Sequence, residues 1–462
     1  MPVSPAAAHT HVVAGPTYQE MLHPDRLPQT VRARAHSALK NELDPANLFN
    51  ITWQSPKGGI RHVALPKEFT GVDANILVMT GCGFPSGSHK VGAAYVTLME
   101  GELADEIHQG ENTIIGPSTG NFGIGVAYIS RLKGYPAIVI MPEQMSKERY
   151  ERIKRYGGQL DLTPGSESDV ILVLERTEFY KKDPKYKVLA QFELLPNYRF
   201  HRYVTGQSAL EMASRYGNKR VAAFVSAPGS AGTIAAGDEI KAKFPDAITS
   251  ALEPRECSTL FNNGRGTHRI EGIGDKMVTL IHNVLTTDYV QLIHDDDCVA
   301  GLELVQQKSP QLESMLGMKR GALASLAGSF GVSSICNILG AIRLAKHLNL
   351  GKDDNVVTIA TDGFDRYPSV VADLEQRRPM KADTEIKSRF EAIYRGGSAD
   401  DVLDVRPRAQ KERLFQYKED VWTRFGYTRD YLEKMKQQSF WDGEYEKIKP
   451  NDEKLARERK LS

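Results

Sequence analysis

Short apolar segments alternate with segments of helical periodicity from about residue 75 to residue 360, and this alternation is the strongest constraint on the fold. The predicted strands are 75–79, 113–116, 137–141, 159–162, 221–225 and 356–360. The predicted helices are 91–99, 122–133, 147–156, 206–216, 234–243 and 331–344. Strand, turn and helix repeated at this spacing are typical of βαβ units, which assemble into parallel sheets. The sequence therefore predicts an α/β protein with two three-layer α/β domains.

A glycine-rich loop leads from the first predicted strand to Lys90. The loop spans residues 81–90 and reads Gly-Cys-Gly-Phe-Pro-Ser-Gly-Ser-His-Lys. Glycines let the backbone approach a ligand closely, and the N–H groups of a following helix N-terminus suit a phosphate. A partly desolvated lysine loses its proton more easily and becomes a nucleophile toward a carbonyl. The loop favours a carbonyl compound that carries a phosphate, such as pyridoxal phosphate, although solvated turns of similar composition are common.

The composition excludes several classes of function. Of the 462 residues, 25% are charged and the net charge is +1, which gives no electrostatic argument for nucleic acid or an anionic membrane as a partner. No apolar run approaches the roughly 20 residues of a membrane helix, and we expect no secretory signal. The four cysteines (Cys82, Cys257, Cys298 and Cys336) lack metal-ligand spacing. We therefore expect a cytoplasmic enzyme without a metal site.

Changes in composition divide the chain into four parts. Residues 1–50 form an N-terminal extension, and residues 386–462 form a helical C-terminal extension. Residues 51–75 and 206–385 together are predicted to form a larger, cofactor-binding domain. Residues 76–205 are predicted to form a smaller domain that carries the lysine loop and a substrate-binding turn.

Apolar residues repeat at helical spacing in the C-terminal extension. They are Leu414, Tyr417, Val421 and Phe425. Such a stripe predicts an amphipathic helix that packs either on the body of the protein or on a second subunit.

Two further turns follow predicted strands. The turn 229–233, Gly-Ser-Ala-Gly-Thr, offers free N–H groups and the start of a helix, which suit a phosphate. It matches neither the dinucleotide nor the Walker pattern. The turn 118–121, Ser-Thr-Gly-Asn, offers hydroxyl and amide groups for a carboxylate and for a phenolic oxygen. From these residues alone, an ordinary connection at 229–233 and simple helix capping at 118–121 remain open alternatives.

Several sequence blocks, in a fixed order, carry a family resemblance. The longest reads Gly116-Pro-Ser-Thr-Gly-Asn-Phe-Gly-Ile-Gly-Val-Ala-Tyr128. The other blocks are 134–135, 141–149, 205–206, 229–233, 270–274, 331–334 and 363–369. This ordered set resembles the cysteine synthase family, which belongs to the fold-type II (tryptophan synthase β-like) pyridoxal phosphate enzymes. The resemblance implies that fold, pyridoxal 5′-phosphate as the cofactor, a small amino-acid substrate and a homodimer.

The resemblance also assigns roles by position. It implies that Lys90 forms the internal aldimine and later moves the α-proton, and that Asn121 bonds the ring oxygen. The implied substrate-carboxylate residues are Ser118, Thr119, Gly120 and Asn121. The implied phosphate-binding residues are Gly229, Ser230, Ala231, Gly232 and Thr233.

One serine is implied to face the pyridine nitrogen, either Ser333 or Ser334, and we favour Ser333. A hydroxyl at this position leaves the ring nitrogen largely neutral, whereas a carboxylate would keep it protonated. A weaker electron sink suits prompt expulsion of a β-substituent, so the serine favours β-elimination and β-replacement over transamination.

The lysine loop departs from the family pattern. Cysteine synthases usually carry Asn-Pro-x-Gly-Ser-x-Lys-Asp-Arg, whereas residues 85–92 read Pro-Ser-Gly-Ser-His-Lys-Val-Gly. Gly-Ser-His-Lys resembles the tryptophan synthase β branch, in which the histidine contacts the phosphate. His89 is therefore a candidate phosphate ligand, with a local hydrogen bond at the helix start as the alternative.

Three functions are consistent with the sequence. The first, which we predict, is β-elimination and β-replacement on an amino acid through an aminoacrylate. The second is an ammonia-lyase, sulfo-lyase or dehydratase that releases a keto acid. The third is a catalytically silent pyridoxal phosphate binder that acts through a partner by means of its extensions.

Overall fold

The computed structural model describes residues 15–118 and 120–459. Strands and helices alternate along most of this chain. The strands are β1 (His62–Ala64), β2 (Asn75–Thr80), β3 (Thr113–Pro117), β4 (Ala137–Pro142), β5 (Gln159–Thr163), β6 (Tyr186–Val188), β7 (Ala223–Ser226), β8 (Ile248–Pro254), β9 (Tyr289–Ile293), β10 (Asn355–Ala360) and β11 (Val402–Asp404). The helices are α1 (Tyr18–Leu22), α2 (Gln29–Ala38), α3 (Lys67–Thr70), α4 (Lys90–Leu103), α5 (Asn121–Lys133), α6 (Lys147–Arg155), α7 (Val170–Lys181), α8 (Leu195–Phe200), α9 (Gly206–Ala213), α10 (Ala236–Lys243), α11 (Thr259–Asn262), α12 (Asp295–Gln307), α13 (Ser309–Met315), α14 (Val332–His347), α15 (Pro368–Arg377), α16 (Asp383–Phe390), α17 (Arg408–Trp422), α18 (Arg429–Lys434), α19 (Gln438–Glu446) and α20 (Ile448–Glu458).

The larger sheet has the strand order β1-β2-β10-β7-β8-β9-β11. Its five inner strands run parallel, whereas the edge strands β1 and β11 are antiparallel to their neighbours. Both faces of the inner strands are buried. Along β2, Ile76 and Val78 enter one hydrophobic core, and Leu77 and Met79 enter another. A continuous apolar run is what a parallel strand covered on both faces requires.

The smaller sheet has the strand order β5-β4-β3-β6, and all of its neighbouring strands are parallel. Helix α5 follows β3 and packs against α4, the helix that begins at Lys90. Two mostly parallel sheets with helices packed on them confirm the predicted α/β fold class. No helix in the described ranges is long and apolar enough to cross a membrane.

The strand before the lysine loop belongs to the larger sheet. The sequence-based division assigned residues 76–205 to the smaller domain, but β2 pairs with β10 from Asn75 opposite Asn355 to Thr80 opposite Ala360. An apolar run shows that a strand is buried on both faces but not which sheet it joins. The lysine loop therefore begins at the carboxyl end of the larger sheet. The rest of the division into domains stays a prediction.

The C-terminal extension packs on the body of its own chain. Leu414 and Val421 of α17 are buried in a core shared with β8 and β9. Lys418 of the same helix is also buried, and it donates a hydrogen bond to the carbonyl oxygen of Leu280 at 2.9 Å. The extension is not purely helical as predicted, because β11 pairs with β9. A three-residue edge strand is too short for its pattern to be recognised.

The N- and C-terminal segments hold each other. The Asp452 carboxylate of α20 accepts the N–H groups of Tyr18 at 2.7 Å and Gln19 at 3.0 Å. Arg459 donates to the carbonyl oxygen of Gly15 at 2.6 Å. Asp452 therefore caps the first turn of α1 from the other end of the chain, because the first N–H groups of a helix have no partner within it.

Replacing Asp452 should loosen this contact. We expect Asp452→Ala to lower the free energy of unfolding by about 1–3 kcal/mol, because one buried and one partly buried N–H donor lose their acceptor. Glu453→Ala is the matched control, since the Glu453 side chain is 60% exposed, and its expected effect is below about 0.5 kcal/mol. Urea denaturation measures both values. Equal effects of the two substitutions would contradict the role of Asp452.

Candidate active site

Lys90 begins α4 with its amine inside the protein. The residue is 8% exposed, and its Nζ donates a hydrogen bond to Ser230 Oγ at 3.2 Å. Burial lowers the pKa of Lys90 to about 8, and the nearby carboxylates of Asp275 and Glu167 oppose this shift. About a tenth of such an amine is unprotonated at pH 7, against well under a thousandth for an ordinary lysine. Lys90 therefore has the reactivity that a carbonyl ligand requires.

One cavity joins the three turns that the sequence singles out. Its walls include Lys90, Ser118, Asn121, Gly229, Ser230 and Asp275. The lysine loop follows β2 at the carboxyl end of the larger sheet, and so does the turn 229–233 after β7, called the phosphate turn after its predicted ligand. The 118–121 turn follows β3 of the smaller sheet. Clefts at the carboxyl ends of parallel strands are the usual binding sites of α/β proteins.

The phosphate turn has the geometry of an anion cradle. Ala231 has φ +63°, a left-handed conformation that is costly for a residue with a side chain. Gly229 must be glycine, because a Cβ there would collide with the carbonyl oxygen of Gly272. Ser230 Oγ accepts a hydrogen bond from Asn197 Nδ2 at 3.0 Å. Strain of this kind in a buried turn indicates a function, and a left-handed residue aims successive N–H groups at one point.

His89 lies at the end of the phosphate turn. It is fully buried, and its Nε2 is 3.1 Å from Thr233 Oγ1. Its Nδ1 is 3.3 Å from the carbonyl oxygen of Thr361, and the Trp53 ring stacks on it at 5.4 Å. Burial lowers the pKa of His89 to about 3, so the ring is neutral at pH 7. These partners are distant in sequence, so the alternative of a local hydrogen bond at the helix start is wrong.

Ser118 organises the 118–121 turn. Its Oγ accepts the N–H groups of Gly120 at 2.9 Å and of Gly123 at 2.8 Å, so it caps α5. The hydroxyl keeps its own proton for donation to a carboxylate. Thr119, also predicted to hold the substrate carboxylate, lies outside the described residues.

Asn121 is held at both ends of its amide by charged side chains to which the sequence analysis assigned no role. Its Nδ2 donates to Asp362 Oδ2 at 2.6 Å, and its Oδ1 accepts from Arg366 Nε at 2.7 Å. Arg366 is fully buried and also donates to the carbonyl oxygen of Ser86 in the lysine loop at 2.6 Å. One N–H of the Asn121 amide remains for a ligand. Arg366 therefore links the lysine loop to the turn that carries Asn121.

Arg149 packs against the turn 118–121. It is fully buried, pairs with Glu271 and donates from Nη2 to the Tyr367 hydroxyl at 2.7 Å. Its Nη1 lies so close to Gly120 that a Cβ there would overlap it. The turn can therefore approach Arg149 only because residue 120 is glycine.

The two candidate serines differ in their hydrogen bonds. Ser334 Oγ accepts the N–H of Gly331 at 3.2 Å and donates to the carbonyl oxygen of Asp362 at 3.4 Å. The Ser333 side chain is also buried, but its hydroxyl makes no hydrogen bond within the described part of the chain. The Ser334 hydroxyl is occupied by the fold, which favours Ser333 for a ligand.

Two functional candidates were missed by sequence reasoning. Asp275 lines the cavity and follows the block 270–274, which was treated only as part of a resemblance. Asn197 contacts Ser230 from α8, a helix with no recognisable motif. An acidic residue after a glycine pair was the available signal for Asp275, whereas Asn197 is brought to the site only by the tertiary fold.

The comparisons with known proteins agree with this site. The family model for "pyridoxal-phosphate dependent enzyme" matches residues 60–362, the span that holds all three turns. The chain belongs to this family. It is an enzyme of the lyase or transferase type, and its cofactor is pyridoxal phosphate. The predicted resemblance to cysteine synthases among the fold-type II pyridoxal phosphate enzymes is confirmed.

Two curated proteins with similar sequences are named as cysteine synthases. A cysteine synthase of Staphylococcus aureus (strain Mu50) is 31% identical over 313 residues, which are 68% of this chain and 93% of that protein. A probable cysteine synthase of Bacillus subtilis (strain 168) is 32% identical over 286 residues, which are 62% of this chain and 85% of that protein. The family match leaves residues 1–59 and 363–462 outside it.

Two solved structures share the fold. The O-acetylserine sulfhydrylase isoform 3 of Entamoeba histolytica has a TM-score of 0.58 and 26% identity, and the match covers 72% of this chain and 93% of that one. A hydrogen sulfide-producing enzyme of Fusobacterium nucleatum has a TM-score of 0.57 and 26% identity, covering 72% and 92%. A variant of that enzyme was solved with an α-aminoacrylate intermediate.

Proposed function

We propose that the enzyme catalyses β-elimination and β-replacement on an amino acid. The observation that carries the proposal is the cavity in which the desolvated Lys90 amine, the Ser118 turn and the phosphate turn converge. The names of the relatives, cysteine synthase and hydrogen sulfide-producing enzyme, support the same reaction class. We place the cofactor's phosphate on residues 229–233 beside His89, and the substrate carboxylate on residues 118–121.

The residues divide the chemistry among them. Pyridoxal phosphate supplies an electrophilic carbonyl and an electron sink. Lys90 would hold the cofactor through its carbonyl carbon, and its amine, when free, would take the proton from Cα of the substrate. The Ser118 hydroxyl and the turn hold the carboxylate, which fixes the Cα–H bond toward Lys90. Ser333 offers a neutral hydroxyl rather than a carboxylate, which favours expulsion of the β-substituent.

The proposal is tested by spectroscopy and product analysis. The protein loaded with pyridoxal phosphate is mixed with L-serine, L-cysteine, O-acetyl-L-serine and 3-chloro-L-alanine, with and without a thiol. We expect a change in visible absorption and turnover of about 1 per second or more with at least one of them. A thioether amino acid as product supports replacement, and a keto acid regardless of thiol identifies the lyase instead. A visible band that no amino acid changes would contradict the proposal and favour the silent binder.

The homodimer implied by the resemblance also stays a proposal. Light scattering on the purified full-length protein measures it, with an expected mass of twice the chain's 51.3 kDa. A monomer at micromolar concentration would contradict it.

A further inference from the structure

We propose that Asp275 is the proton donor to the departing β-substituent and the proton acceptor from the entering nucleophile. The substrate class that follows is amino acids whose β-substituent is a hydroxyl or thiol, which leave well only when protonated. This inference rests on the proposed function. It assigns the site a leaving-group preference that the family relationship does not supply.

The first support is the position of the Asp275 carboxyl. Asp275 lines the same cavity as Lys90, Ser118 and Ser230, and it is 5% exposed. Its Oδ2 has no hydrogen-bond partner among residues 15–118 and 120–459. A buried carboxyl oxygen without a partner is costly, so its retention at a cavity wall indicates that a ligand supplies the partner.

The second support is the rigidity of the loop that presents Asp275. Its carbonyl oxygen accepts a hydrogen bond from Thr259 Oγ1 at 3.0 Å. The preceding Gly274 has φ +79°, and His268 Nε2 lies 2.9 Å from the Gly274 carbonyl oxygen. The backbone on both sides of the side chain is therefore fixed by contacts outside the cavity. Such fixed elements hold an acid–base group within reach of a reacting atom.

The third support is the charge environment. Burial raises the pKa of Asp275 to about 7, and the ammonium group of Lys90 opposes this rise. Asp275 and Glu167 are the carboxylates that act on Lys90, while the adjacent Lys276 is paired with Asp169 at 2.6 Å. An unprotonated Lys90 amine puts no charge beside Asp275, so the carboxyl keeps its proton more strongly. The ammonium that forms when Lys90 takes the Cα proton lowers the pKa of Asp275 and so favours release of that proton to the departing group. An acid whose pKa lies near the working pH is the most effective proton donor.

The proton balance closes over one cycle. In elimination, the Lys90 amine takes the Cα proton, the Cβ–X bond breaks with its electron pair going to X, and Asp275 gives X a proton, so HX leaves. In replacement, HY gives its proton to the Asp275 carboxylate as the Y–Cβ bond forms, and Lys90 returns its proton to Cα. The sum is exchange of HY for HX, and both residues regain their starting states.

The leaving group decides how much this proton matters. Hydroxide and thiolate are strongly basic when they depart, so protonation lowers the barrier for their release. Chloride and acetate are weakly basic and depart without a proton. The benefit of a general acid grows with the basicity of the group that it protonates. Asp275 therefore matters for L-serine and L-cysteine and little for 3-chloro-L-alanine and O-acetyl-L-serine.

The test compares Asp275→Asn with the parent enzyme on both substrate classes. We expect kcat/KM for L-serine or L-cysteine to fall by about 10²–10⁴ and kcat/KM for 3-chloro-L-alanine to change by less than about 10-fold. Asp169→Asn, a carboxylate of the neighbouring loop, is the matched control and should change neither by more than about 3-fold. Equal losses on both classes would show a structural role, and no loss would exclude proton transfer. Either result overturns the proposal.

Two measurements keep the proposal testable if Asp275→Asn folds poorly. In the parent enzyme, kcat/KM for L-serine should fall on the alkaline side relative to that for 3-chloro-L-alanine, because only the former needs protonated Asp275. Identical pH profiles would overturn the proposal.

In the cofactor-free protein, pH-dependent acylation of Lys90 should shift to lower pH in Asp275→Asn, since a carboxylate that favours the ammonium is gone. An unchanged pH profile of acylation would contradict the predicted proximity of the Asp275 carboxylate to the Lys90 amine. If the parent enzyme turns over none of the four amino acids, the proposed function fails rather than the role of Asp275.

Discussion

Lys90→Ala is expected to abolish covalent attachment of pyridoxal phosphate and to lower kcat/KM for β-elimination by at least about 10⁴. In the proposed mechanism the amine is both the nucleophile that holds the cofactor and the base that faces Cα, so one substitution removes two functions. Borohydride reduction followed by peptide mass spectrometry measures the attachment, because it fixes the cofactor on the lysine that held it. We expect the label on the peptide that contains Lys90 in the parent protein and no label in the variant.

Lys418 provides a matched control for this experiment. It is fully buried, and burial lowers its pKa to about 7, so its amine, like that of Lys90, is easily deprotonated. It belongs to α17, donates to the carbonyl oxygens of Leu280 and His282, and is not among the residues that line the cavity of Lys90. Lys418→Met should leave the label on Lys90 unchanged. Labelling of Lys418 in the parent would show that desolvation alone, rather than the site, selects the lysine.

The lysine site could be predicted from sequence because its parts are local. A glycine-rich loop, a strand before it and a helix after it are all contiguous with Lys90, and the turn 229–233 follows a strand in the same way. The βαβ alternation requires that such turns lie at the carboxyl ends of strands, where they meet. The structure places the three turns around one cavity, as this reasoning expects.

The contacts of the charged residue Arg366 that support the site could not be predicted, because they join segments that are distant in sequence. Arg366 and Asn121 are 245 residues apart, and Arg366 and Ser86 are 280 residues apart. Nothing in the periodicity of either segment marks a buried arginine, since isolated charged residues usually lie on the surface. Strand β8 was missed for a related reason. It carries the buried polar residues Thr249, Ser250 and Glu253, which break the apolar pattern of an inner strand.

Arg366→Met is expected to lower the free energy of unfolding strongly. The side chain is fully buried and bonds Asn121 Oδ1, the Ser86 carbonyl oxygen and Asp365. Removing it leaves the Asn121 amide oxygen without its donor and the Ser86 carbonyl oxygen with only the longer contact to Arg152 at 3.3 Å. Asp362 also loses a cation at 3.9 Å. Breaking a buried charged pair costs about 3–5 kcal/mol. Urea denaturation measures the loss in free energy of unfolding, provided that the m-value is unchanged.

Arg152→Met is the control that separates the specific role of Arg366 from the general loss of a cation. Its guanidinium lies in the same region, 3.3 Å from the Ser86 carbonyl oxygen and 2.6 Å from Asp365, but its side chain is 22% exposed. Arg152→Met should cost about 1 kcal/mol or less, as is usual for solvent-screened pairs. Arg366→Met should also weaken the binding of pyridoxal phosphate, because Arg366 joins the lysine loop to the turn of Asn121. If both variants lose the same stability and retain the same cofactor affinity, the buried arginine does not organise the site.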